Sequence, residues 1–224
     1  YVVGIQDAHI AIGTSALAVS VNAFVNLLSH WRAGNVHWPS ALLFGGAGAA
    51  GALIGSTLGK LAPGESLLFL FALVMIAAAV ASLRRRAGDG EICRRVTRKI
   101  AMRLLLLGFA AGAISGFFGI GGGFLIVPGI MFGSGLPILN AIGSSLFAVG
   151  TFGLTTAVNY ALSGYVDWAI AAEFILGGAI GGFFGMHAAV ALATRKRALN
   201  YLFAGTVFTV AVYMILRSGL HIFA

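Results

Sequence analysis

An all-α, polytopic helical membrane protein with two homologous repeats is the fold this sequence predicts. Three observations carry the prediction. The 224 residues are 59% hydrophobic and 9% charged, with a mean hydropathy of +0.99; soluble domains carry about 25% charged residues. The apolar runs are continuous and roughly twenty residues long, as membrane helices require, whereas barrel strands run to about ten residues with alternating polarity. Finally, blocks of sequence recur at a constant offset of 130 residues.

Taken in order, the spans are expected near 8–29, 38–60, 66–83, 100–118, 139–161, 168–193 and 198–216. Domain organisation follows: a first repeat over 1–83, a basic loop over 84–99 and a second repeat over 100–224. Eight of the fourteen Lys and Arg residues fall together, at Arg84, Arg85, Arg86, Arg94, Arg95, Arg98, Lys99 and Arg103. A basic cluster beside apolar spans is most simply a cytoplasmic loop by the positive-inside rule, with binding of anionic lipid or a partner as the lesser reading. The formal charge of +8 is therefore no nucleic-acid signal. Cys93 is the single cysteine, so no intrachain disulfide exists.

The stretch 104–136 does not fit a simple rod. As one helix it would be about 50 Å long, against a hydrocarbon core of about 30 Å. Residues 119–128 read Gly-Ile-Gly-Gly-Gly-Phe-Leu-Ile-Val-Pro. Glycine costs about 1 kcal/mol and proline about 3 kcal/mol in a helix interior. Broken backbone at membrane depth survives only where protein buries it or where it lines a cavity, and such breaks point to transporter sites. Crossed once, 100–136 leaves Arg195-Lys196-Arg197 on the outside, against the positive-inside rule. Treated as re-entrant from 119, it brings that cluster inside and makes the halves antiparallel.

The repeat is read directly. Ala11-Ile12-Gly13-Thr14-Ser15 returns as Ala141-Ile142-Gly143-Ser144-Ser145, and Gly34-Asn35-Val36-His37-Trp38 as Gly164-Tyr165-Val166-Asp167-Trp168. Gly48, Gly51 and Gly55 align with Gly178, Gly181 and Gly185. At this offset Tyr1 aligns with Met131, just past Pro128. One further span, with its own glycine-rich break, is therefore expected upstream of residue 1.

Gly-Phe-Phe-Gly-Ile-Gly-Gly-Gly-Phe-Leu-Ile-Val-Pro at 116–128, with Ala-Ile-Gly-Ser-Ser at 141–145 and Gly-Tyr-Val-Asp-Trp at 164–168, resembles the TauE/SafE family of sulfite exporters over nearly the whole chain. The resemblance implies a multi-pass carrier of the inner cell membrane for sulfite, sulfonates or related small sulfur-containing anions. It also implies proton-motive coupling and a layout of four plus four spans, which favours a single crossing over 100–136.

The candidate substrate-binding residues begin with Gly119, Gly121, Gly122, Gly123 and Pro128. Glycines let the backbone turn and present N–H groups, and a half-helix start adds a favourable dipole for an anion. Thr14 and Ser15, matched by Ser144 and Ser145, either cap the spans they open or donate to anion oxygens. Asn22 and Asn26 lie four apart on one helix face, as interhelical glue or as path lining. Charges inside spans are functional candidates, so Glu173 and His187 are the candidates for proton coupling, against a buried hydrogen-bonded or interface carboxylate as the favoured reading of Glu173. Gly108, Gly112 and Gly116, spaced by four, read as close helix packing. No His/Cys/Asp/Glu cluster has ligand spacing, so neither metal nor cofactor is expected.

A channel or passive membrane subunit is the rival reading. A third is an intramembrane serine hydrolase on Ser115-Gly116 with His187 as base; Ala113 stands where such a motif has glycine. The expected partners are a small anionic substrate and membrane lipid.

Overall fold

A computed structural model of the chain describes residues 7–62, 70, 74, 96–119, 123–192, 205, 206 and 209. Six helices are described: α1 (Ala8–Arg32), α2 (Trp38–Gly59), α3 (Arg98–Phe118), α4 (Gly123–Ser134), α5 (Ile138–Ala161) and α6 (Trp168–Leu192). Four of them, α1, α2, α3 and α5, are long and apolar enough to cross a membrane. Single positions apart, the expected spans at 66–83 and 198–216 lie outside the described residues, as do the cluster from Arg84 to Arg95 and Arg195-Lys196-Arg197.

Local chemistry sets the helix ends. Asp7 Oδ1 accepts from His9 N at 2.8 Å and starts α1. His37 caps α2, with Pro39 in its first turn, where a missing N–H costs nothing. Thr97 caps α3, and Asp167 Oδ1 accepts from Ala169 N and Ile170 N to start α6. The loops after α1 and α5 turn on Gly34 and Gly164, with φ of 71° and 77°, at positions related by the offset. Any other residue there would cost roughly 1–2 kcal/mol.

Helix directions follow from the side chains that meet. Gly45 packs on Phe147, and Ser56 meets Asn159, so α2 and α5 run parallel. Gly48 packs on Gly112 and Gly59 on Phe117, so α2 and α3 are parallel too. Against these, α1 is antiparallel to α5: Gly13 packs on Tyr160, Ser20 Oγ donates to Gly150 O at 2.8 Å, and Gly143 packs on Asn35. Running with α1, α6 is held where Asn22 Nδ2 donates to Phe174 O at 3.0 Å. Helices equivalent in sequence, α1 and α5, therefore point in opposite directions. The Ser20–Gly150 bond joins two positions 130 residues apart, which places it on the axis between them.

The single crossing expected for 100–136 is corrected. Gly119, left-handed at φ 67°, ends α3. α4 then runs back along α3: Gly129 packs on Phe44, and Gly133 on Leu104 near the start of α3. Gly135, at φ 76°, turns the chain again into α5. The start of α3, the end of α1 and the end of α6 thus share one end of the bundle, the Arg98 end. The end of α2, the break and the end of α5 share the other, the Gly119 end.

α5 is the most enclosed span, with 61% of its apolar window buried. Phe152 stacks on Phe44 with ring centres 6.2 Å apart, and Leu104, Ile126, Ile130 and Val149 complete the core.

Candidate functional site

The candidate site is the break between α3 and α4. Gly119 is buried, and its neighbour is Ile12 of α1. Four residues on, Gly123 opens α4; a methyl group there would lie 3.7 Å from Val149 Cγ2 of α5. The break thus sits between α1 and α5, the two equivalent helices that cross at Ser20 and Gly150. Pro128 is buried inside α4, where its missing N–H leaves one carbonyl of the preceding turn without a helical donor. Gly121 and Gly122 lie outside the described residues.

One group at the break was not among the expected ligands. Ser115 is buried, and among the described residues its hydroxyl has no hydrogen-bond partner. It stands one turn before Gly119, so it shares a helix face with the reversal. That spacing of four was present in the sequence as a signal. An unpartnered buried hydroxyl costs free energy that a ligand oxygen would recover.

The paired hydroxyls behave differently from a cap. Thr14 and Ser144 lie six residues inside α1 and α5, so neither opens its helix, and capping of their own spans is overturned. Each instead binds the loop of the other half. Thr14 Oγ1 accepts from Asp167 N at 2.9 Å, and Ser144 Oγ accepts from His37 N at 2.8 Å. The two bonds are related by the 130-residue offset at both partners. Beside them, Gly13 packs on the carbonyl of Tyr165, and Gly143 on that of Asn35, again an equivalent pair. Ser15 Oγ and Ser145 Oγ donate within their own helices, to Ile12 O at 3.0 Å and Ile142 O at 2.8 Å.

The remaining candidates lie apart from the break. Asn22 and Asn26 join α1 to α6: they pack on Gly178 and Gly182, and Asn26 Nδ2 donates to Asn22 O at 2.8 Å. Glu173 and His187 are both exposed on α6. The four-spaced glycines of α3 pack as their spacing predicts. A Cβ at Gly108, Gly112 or Gly116 would meet the backbone of Phe44, Gly48 or Ala52 on α2. Among the described residues no group of three His, Cys, Asp or Glu could hold a metal.

Relatives share this architecture's sequence. The chain is 49% identical over 219 residues to a "Probable membrane transporter protein" of Xylella fastidiosa (strain 9a5c), covering 97% of this chain and 84% of that protein. It is 28% identical over 179 residues to "Probable membrane transporter protein YdhB" of Bacillus subtilis (strain 168), covering 79% and 73%. No solved structure matches the chain. The family model for "Sulfite exporter TauE/SafE" matches residues 1–214. With that match, four apolar spans and the glycine-rich break, the chain is an integral membrane protein and belongs to the TauE/SafE sulfite exporter family.

Proposed function

We propose that the protein is a secondary transporter of small sulfur-containing anions, such as sulfite or a sulfonate, across the cytoplasmic membrane. The single observation that carries this reading is the reversal at Gly119, held inside the bundle between α1 and α5. In this reading the Ser115 hydroxyl and the Gly123 N–H supply donors for anion oxygens, and the start of α4 adds a favourable dipole. Pro128 shortens the hydrogen-bonded part of α4 behind it. The two inter-half clasps, Thr14 to Asp167 and Ser144 to His37, sit at opposite ends of the bundle. They suit the two gates of a carrier that opens to one side at a time. Glu173 and His187 keep the role of proton-coupling candidates on α6.

The charge pattern supports an orientation. Arg32, Arg98, Lys99 and Arg103 lie at the Arg98 end, which the positive-inside rule makes cytoplasmic. Reconstitution tests the function. Proteoliposomes should show saturable uptake of labelled sulfite or taurine that follows an imposed proton gradient. A fast, non-saturating conductance would assign the rival channel reading.

A further inference from the structure

At the Gly119 end, α2 and α5 finish side by side, and a polar cluster forms between them. The Lys60 ammonium donates to Asn159 Oδ1 at 2.9 Å, to Ser163 Oγ at 3.0 Å and to Asn159 O at 3.3 Å. Asn159 Nδ2 donates in turn to Ser56 Oγ at 2.7 Å and Thr57 Oγ1 at 3.1 Å. All three ammonium donors therefore end on neutral acceptors. Among the described residues Lys60 has no carboxylate partner. The nearby helix starts use their own acids: Asp7 accepts from His9 N, and Asp167 from Ala169 N and Ile170 N. Two helix C-termini contribute only partial negative charge.

The repeat supplies an internal control. The Gly-Thr and Gly-Ser sockets and the Gly34 and Gly164 turns occur at both ends of the bundle. The lysine cluster occurs at one. At the 130-residue offset, Val190 matches Lys60, Met186 matches Ser56, Ser29 matches Asn159 and Ala33 matches Ser163. The clasp at the Arg98 end is thus made without an equivalent of this cluster, so the clasp itself does not require it. A full positive charge held by neutral groups draws small anions to the mouth on which it stands.

We propose that Lys60, Ser163 and Asn159 form a recruitment site for a small oxyanion, of the sulfite, sulfonate or sulfate type, at the Gly119 end. The anion takes one Lys60 N–H in place of Ser163, whose hydroxyl then donates to a second anion oxygen. This rests on the transport reading above for its role, though not for binding itself. A lipid phosphate offers the same chemistry from another source, and the test separates the two.

The full chain is purified in a neutral detergent, and its melting temperature is followed as sodium sulfate replaces sodium chloride at fixed ionic strength. The protein should be stabilised saturably. Lys60→Gln should lose most of that response, and Lys60→Arg should keep it. Ser163→Ala, which leaves the lysine in place, should need several-fold more sulfate. A lower melting point in Lys60→Gln with an unchanged sulfate response would show a purely structural cap and overturn the site. So would a Lys60-dependent response to phosphatidylglycerol, against phosphatidylcholine, with none to sulfate. In proteoliposomes, Lys60→Gln should raise the half-saturating sulfite concentration at least five-fold from the Gly119 side, with no change from the Arg98 side. Wild-type protein that binds sulfate through Lys60 yet carries no sulfur anion would remove the transport reading and leave the site. Wild-type transport with identical half-saturation in Lys60→Gln from both sides would remove the recruitment role.

Discussion

Thr14 and Ser144 show how one atom can hold two halves together. Each hydroxyl satisfies a backbone N–H in the opposite loop that no helix turn serves. Thr14→Val keeps the shape and removes the acceptor. It should cost about 1–3 kcal/mol, the range for a polar group left unsatisfied on burial, whereas Thr14→Ser should cost less than half of that. Chemical denaturation in detergent measures both. Ser144→Ala should behave like Thr14→Val, because its bond is the equivalent one. The sequence made these residues visible, since hydroxyls recur at matching positions. Their partner was not visible, because the acceptor serves a backbone group 153 residues away in one case and 107 in the other. Backbone donors carry no side-chain signature. Ser115 was legible only as a nucleophile candidate until its burial and its place before Gly119 were known.

Among elements, the α2–α3 pair is the clearest case of composition dictating geometry. Gly112 approaches the backbone of Gly48, and Gly55 that of Ala113. A Cβ at either place meets backbone, which cannot rotate aside. Gly112→Val should therefore destabilise by about 3 kcal/mol, the upper part of the range for overpacking, and the purified protein should lose its monodisperse size-exclusion peak. Gly46→Ala, on α2, meets nothing within 4 Å and should be neutral. This packing was readable from the spacing of four. The direction of α4 was not. Its glycines and proline announced a break, but whether a broken chain continues or returns depends on the surface that receives α4. That surface is made by Phe44 and Leu104, from two other helices.

For the whole molecule, the opposed directions of α1 and α5 bring the ends of α1 and α6 to the start of α3. The resulting grouping of Arg32 with Arg98, Lys99 and Arg103 is what the charge pattern demands of a cytoplasmic face. In a Cys93→Ser background, Ala33→Cys should react with an impermeant maleimide only in inverted membranes, and Leu162→Cys only in right-side-out cells; both positions are exposed. Reaction of both from the same side would refute the antiparallel arrangement. The central claim is that the break between α3 and α4 lines the path of a small sulfur anion. Gly123→Ala tests it most directly, because its added methyl makes only ordinary contact with Val149 and should leave the fold intact. Labelled sulfite flux in proteoliposomes is measured for wild type and variant, alongside their melting temperatures. The account predicts saturable wild-type flux, reduced at least five-fold in the variant at an unchanged melting temperature. Equal flux in the two proteins, or none from folded wild type with any sulfur oxyanion, would contradict it.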